Sequence, residues 1–176
     1  VFSLLGQTLM KIKADCPFRA AVSVCEELKD KCDIIILDFH SETSSEKVSM
    51  GNLLDGKAAV VFGTHTHIPT ADARILENGT AYISDLGMTG PWDGCLGRDK
   101  NAVLQKFMDG RPRAFKVAEK DPRICGCIVE IDDASKKPVS IEQFIFPKFG
   151  EPLPPTPEEI RLAQKRLAEE QAEAQN

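Results

Sequence analysis

Two imidazoles stand two residues apart in Gly63-Thr64-His65-Thr66-His67, directly after the apolar run Ala58-Ala59-Val60-Val61-Phe62. A strand ending there would throw both rings onto one face, because side-chain direction repeats every two residues in an extended chain. The chain has three histidines. The third, His40, follows another apolar run, Ile34-Ile35-Ile36-Leu37. All three therefore sit just past an expected buried strand, at the edge of an open α/β sheet where ligands bind. Neutral imidazole is a common donor to zinc, iron, manganese and similar ions, so His40, His65 and His67 are candidate metal ligands. The residues alone leave open a three-imidazole mononuclear site and a two-metal site, which would also need carboxylate or hydroxide. A set of polar loop residues is the plain alternative.

The neighbouring polar residues carry the same two-sided reading. Asp38 lies two residues before His40 on the same strand face, placed to orient an imidazole or simply to end the strand. Glu42, Ser44 and Ser45 follow at an expected helix start, where backbone N–H groups favour an anion such as phosphate or are merely capped. Asp72 and Asp85 follow further strands or site loops, and Asp85 leads into a glycine-rich loop from Gly87 to Gly97 that borders the same edge. The sequence supports neither a Ser-His-Asp arrangement nor a Walker-type phosphate loop.

The elements that must position these residues can be read from periodicity. Pro17 suits the first position of a helix over 17–31, with Phe18, Ala21, Val22, Cys25, Leu28 and Cys32 recurring at three and four to make one buried stripe. Residues 33–39 read as a strand buried on both faces, of the parallel-sheet kind. Thr43-Ser44-Ser45-Glu46 has the pattern of a capping box and opens a short helix ending near Gly56. Strands follow at 58–62 and, after the turn signal Glu77-Asn78-Gly79, at 80–84. The glycine-rich loop, with Met88 and Trp92, is expected to be ordered. A helix near 99–108 should face Val103, Leu104, Phe107 and Met108 inward. Strands at 124–131 and 139–146 are expected to finish the sheet.

The totals bound the rest. A chain of 176 residues with 42% hydrophobic and 28% charged content is one ordinary globular domain. Its net charge of -5 offers no footprint for duplex nucleic acid, and no apolar run reaches the ~20 residues of a membrane span. The start, Val1-Phe2-Ser3-Leu4-Leu5-Gly6, reads like the inside of a strand rather than a signal peptide. The six cysteines form no Cys-x-x-Cys pair and read as reduced thiols of a cytoplasmic protein. Residues 151–157 carry four prolines, and Thr156-Pro157-Glu158-Glu159 opens a helix with few large apolar residues, Ile160, Leu162 and Leu167 among them. That divides the chain into 1–149 and a Pro-rich linker with a solvated helical tail at 150–176.

Set together, these segments resemble a known family. Phe39-His40-Ser41-Glu42-Thr43-Ser44-Ser45-Glu46-Lys47 is similar to the Phe-His-x-Glu-x-Thr-Ser-Glu-Lys motif of YmdB-type metallophosphoesterases, within the calcineurin-like phosphoesterase superfamily. Gly63 to Asp72, Ala81 to Pro91 and Asp15 to Ala21 resemble further signatures, so the likeness runs from about residue 1 to about residue 146. The resemblance implies an α/β fold, part of a four-layer α/β/β/α sandwich around two divalent ions, iron or manganese before zinc. It implies phosphodiester hydrolysis by a metal-activated hydroxide, with 2′,3′-cyclic nucleotides as the best substrate. His40 and His65 would match ligands of one ion and His67 a ligand of the other. The family's earlier half supplies an Asp, a Glu-Asn pair and an Asn-His pair, including the histidine that protonates the leaving oxygen. These do not occur before the first motif here, so the resemblance implies a C-terminal portion that is inactive alone. The other reading is a non-catalytic, truncated binding module that uses its helical tail. Expected partners are a small phosphodiester, with no duplex nucleic acid and no membrane; a homo-oligomer is left open.

Overall fold

The computed structural model describes residues 1–11 and 13–173, with side chains described through residue 165. Residues 174–176 and the Leu167 side chain lie outside the described residues. Two units are distinguished, Val1–Phe146 and Pro147–Asn176.

The first unit is a mixed α/β fold built on a parallel sheet. Its elements in order are β1 (Phe2–Leu5), α1 (Pro17–Leu28), β2 (Ile36–His40), α2 (Ser44–Leu54), β3 (Val60–Thr64), β4 (Arg74–Ile75), β5 (Ala81–Ile83), β6 (Gly90–Pro91), α3 (Lys100–Asp109), β7 (Pro122–Ile131) and β8 (Pro138–Phe146). Five strands form one sheet in the order β1-β2-β3-β5-β4. β1, β2, β3 and β5 run parallel, and β4 pairs antiparallel with β5. Parallel neighbours need crossover connections, usually helical, and α1 and α2 provide the first two.

The periodicities explain the core. Along β2, Leu37 and Phe39 are buried together with Val61 of β3 and Tyr82 of β5. They pack with Ala21 and Cys25 from α1 and Met50 and Leu54 from α2, and Phe2 and Leu4 of β1 close the side. The alternate residues of β2, Asp38 and His40, then face the other side of the sheet. The parallel register sets His40 opposite Thr64 and Asp38 opposite Phe62. The turn between β4 and β5 is held by Asp55, whose carboxylate accepts from Asn78 N at 2.9 Å and Thr80 N at 3.2 Å.

Several expectations change. β7 and β8 do not finish the first sheet; with β6 they form a separate three-stranded one, which meets the first through β8 against β4 and β5. Around α3, only Val103 turns inward, while Leu104, Phe107 and Met108 are exposed. The spacing of apolar residues marks a face but does not supply something to cover it. Helix α1 stops at Leu28, which leaves Cys32 beyond it and exposed. Thr43 makes no side-chain cap at α2, and Glu46 turns the other way, toward Ser41, so neither half of the expected capping box forms.

In the second unit, α4 (Pro157–Glu173) opens with the capping box the sequence spells out. Glu159 N donates to Thr156 Oγ1 at 3.2 Å, and Thr156 N donates to Glu159 Oε2 at 2.7 Å.

Candidate metal centre

Because β2 and β3 are parallel, both end at the same edge, at His40 and Thr64. The register makes these two side chains neighbours. Thr64 Oγ1 donates to Asp38 Oδ1 at 2.9 Å. With its one hydrogen used, that oxygen accepts from His40 Nδ1, 3.0 Å away. His40 therefore carries its proton on Nδ1 and presents a lone pair at Nε2. Burial, then the neighbouring His65, lowers the pKa of His40 and keeps the ring neutral.

His65 lies one residue beyond β3. Its Nδ1 is 3.0 Å from His40 Nε2, and its Nε2 is 2.8 Å from Glu42 Oε2. The two rings stand edge to face, 4.7 Å between centroids. One contact chain thus runs Asp38–Thr64–His40–His65–Glu42 along the sheet edge.

His67 stands outside that chain. The strand ends before the histidines, and His65 and His67 both adopt positive φ, 112° and 66°. The alternation rule that would place both rings on one face no longer applies. His67 is exposed and turns Nδ1 to the Leu96 carbonyl, 3.2 Å away. Ser44 begins α2 and is exposed.

Asp85 does not face the crevice. It is 1% exposed, and its carboxylate accepts from Lys47 Nζ at 2.7 Å, Thr66 N at 3.0 Å, Thr66 Oγ1 at 2.8 Å and Gly87 N at 2.9 Å. Burial pushes its pKa up, but these hydrogen bonds outweigh burial and hold the carboxyl below its ordinary value. Asp72 is only half-buried, and its carboxylate accepts from Ser84 N, Ser84 Oγ and Thr70 Oγ1 at 3.1, 2.6 and 2.6 Å.

Sequence reasoning misses Thr64, Thr66, Lys47 and Glu46 as organisers of this edge. The threonines alternate with the histidines, which is their signal. Glu46 and Lys47 close the family-like motif that begins at Phe39, which is their signal, though the helical pattern around them gives neither a buried role. Glu46 is 7% exposed and accepts from Ser41 Oγ, Gln7 N and Thr8 N at 2.6, 2.9 and 3.3 Å, tying down the segment after β1.

The donor types fit a transition-metal ion, and so does the His40–His65 spacing. Two nitrogens bound to one tetrahedral ion at about 2.0–2.1 Å each stand about 3.4 Å apart, within a few tenths of the 3.0 Å seen. The set is incomplete by itself, since no group of three or more His, Cys, Asp or Glu among the described residues is arranged to hold an ion.

Residues 1–144 match the family described as YmdB-like protein. This chain belongs to the YmdB-like family. A Bacillus subtilis relative named 2′,3′-cyclic-nucleotide 2′-phosphodiesterase is 44% identical over 146 residues, covering 83% of this chain and 55% of the relative. The crystal structure of a novel phosphatase from Mycoplasma pneumoniae superposes with a TM-score of 0.76 at 36% identity, over 82% of this chain and 51% of that one. A hypothetical protein from Thermus thermophilus gives 0.75 at 35% identity, over 82% and 55%. The chain therefore spans about half the length of these relatives. No helix among the described residues is long and apolar enough to cross a membrane.

Proposed function

We propose that this chain is the C-terminal portion of a metal-dependent phosphodiesterase and supplies His40, His65 and His67 to a two-metal centre. The observation that carries the reading is the His40–His65 nitrogen pair, brought together at 3.0 Å from the ends of two parallel strands. Family membership and the name of the Bacillus subtilis relative support phosphoester hydrolysis, with 2′,3′-cyclic nucleotides as substrate. The ions are iron or manganese before zinc.

In this reading Asp38, through Thr64, keeps the His40 proton on Nδ1 so that Nε2 remains a donor. Glu42 orients the His65 ring from its other nitrogen. His67, with Nδ1 on the Leu96 carbonyl, has Nε2 left for the second ion. When bound, divalent ions neutralise charge on the equatorial phosphate oxygens and lower the pKa of a water for in-line attack. All three imidazoles are then used as ligands, and none is left to protonate the leaving oxygen. The remaining ligands, the general acid and the other strands of a four-layer sandwich come from outside this chain, which is inactive alone. Six free thiols support a reducing, cytoplasmic setting.

The test is a chimera in which residues 1–144 replace the matched region of the Bacillus subtilis relative. Loaded with Mn²⁺ or Fe²⁺, it should hydrolyse 2′,3′-cyclic AMP, while the isolated chain should not. His40→Ala and His65→Ala should each lower metal content. A folded, metal-loaded chimera without turnover refutes the reading.

A further inference from the structure

His65 and His67 both hold left-handed backbone, φ 112° and 66°, which non-glycine residues adopt at a cost and keep only where their surroundings impose it. What imposes it here is the residue between them. Thr66 is held twice by one carboxylate oxygen, Asp85 Oδ2, through its N–H at 3.0 Å and its hydroxyl at 2.8 Å. Asp85 is itself fixed from three directions. Its Oδ1 accepts from Gly87 N at 2.9 Å, its backbone N–H donates to Thr70 Oγ1 at 2.9 Å, and its carbonyl accepts from Thr70 N at 3.1 Å.

The remaining partner is Lys47, reaching from α2 to Asp85 Oδ2 at 2.7 Å. Both side chains are sealed from water, 2% and 1% exposed. The lysine stem runs beside Gly63, where a Cβ would meet Lys47 Cδ at 2.9 Å. A buried ion pair of this kind is a weak source of stability, because apolar residues of like volume often serve as well or better. Its distinctive effect is to fix a register, and the register it fixes is that of the loop carrying both histidines.

We propose that the Lys47–Asp85 pair is the positioning device of the candidate metal centre: by gripping Thr66 it holds His65 and His67 in the strained backbone that aims His65 Nδ1 at His40. The inference rests on the metal-centre reading above. Lys47 and Asp85 touch neither ion nor substrate, so both are positioning residues. Their removal should cost metal affinity by the roughly 10–100-fold typical of residues that orient ligands.

The experiment uses the chimera described above, which brings the ligands this chain does not hold, with Mn²⁺ as the probe. Paramagnetic broadening of the His40 and His65 ring resonances is followed by NMR as Mn²⁺ is added, beside thermal melting without metal. Lys47→Met/Asp85→Leu removes both charges and every acceptor of the grip while keeping the volume near native. The expected result is a folded variant needing at least about tenfold more Mn²⁺ to broaden either ring, with the ring signals of the metal-free His40–His65 pair shifted. A folded variant with unchanged Mn²⁺ dependence and unchanged ring shifts overturns the proposal. If that variant does not fold, Thr66→Val decides, since it deletes the 2.8 Å hydroxyl bond to Asp85 together with only the longer contacts to Ile68 O and N at 3.2 and 3.4 Å. A severalfold loss of Mn²⁺ affinity supports the grip, and no change overturns it. A wild-type chimera whose rings ignore Mn²⁺ sinks the metal-centre reading and the proposal together, whereas normal wild-type broadening with indifferent variants sinks the proposal alone.

Discussion

Replacing Gly63 by alanine puts one methyl group where β3 and β5 leave no room. Gly63 is not at positive φ, so the effect is one of space. A Cβ there would stand 1.8 Å from the Ser84 carbonyl oxygen and 2.8 Å from its carbon. Carbon–oxygen contacts settle at about 3.3 Å, so the two strands would have to part by roughly 1.5 Å of a spacing of about 4.8 Å. The Leu86 N–H to Gly63 carbonyl bond, 3.0 Å long, crosses the same gap and would break. Overpacking of a tight core costs about 1–3 kcal/mol, and a buried backbone pair left unmade costs about 1–3 kcal/mol more. The sum, about 2–6 kcal/mol, is a large share of a typical stability of about 5–15 kcal/mol. For a unit of this size it lowers Tm by roughly 6–18 °C. Urea unfolding and thermal melting by circular dichroism measure it. Gly110→Ala is the control, because φ is 70° there but nothing lies within 4 Å, so only the left-handed backbone is penalised, by about 1–2 kcal/mol. If Gly63→Ala proves no more costly than Gly110→Ala, the close approach of β3 and β5 is wrong.

Three further outcomes are expected. Asp72 and Asp85 both titrate below the ordinary 3.8 in the folded chain, so the unfolded state binds more protons; their stabilisation is complete above pH 3.8 and lost as pH falls through the lower folded values. Melting between pH 3 and 6 checks this, and a Tm that does not drop below about pH 4 contradicts it. Glu46→Gln substitutes an amide donor for an oxygen that faces donors from Ser41, Gln7 and Thr8. It should cost about 2–3 kcal/mol in urea titration; an unchanged midpoint speaks against the buried carboxylate. Phe107→Lys alters a side chain that is 81% exposed, so unfolding should shift by no more than about 0.5 kcal/mol. A loss like that of a core phenylalanine would mean α3 packs inward after all.

The histidine positions show where sequence reasoning holds and where it stops. His40 falls at a strand end, as the β-branched run before it requires, because such a run leaves few alternatives for a buried segment. His65 and His67 are expected on one face because an extended chain alternates. The strand stops at Thr64, and the next residues take positive φ, a backbone state that no side-chain pattern announces for histidine. Likewise the pattern of residues 99–108 marks a helix but not its surroundings, so Leu104, Phe107 and Met108 are expected inside and lie outside. Glu46 matches a capping box by spacing, yet its carboxylate finds donors 38 and 39 residues away.

By itself, the amino-acid order determined the longer helices and strands, though not the two-residue strands β4 and β6, and the reciprocal capping of the tail helix, since each depends on periodicity or contacts within a few residues. Only the tertiary structure decided that His40 meets His65 while His67 turns to Leu96, that β7 and β8 pair with β6 in a second sheet, and that a lysine from α2 ends buried against Asp85. The physical reason is range: those arrangements follow from inter-strand register and from which donors saturate a buried carboxylate, and both are settled by groups far apart along the chain.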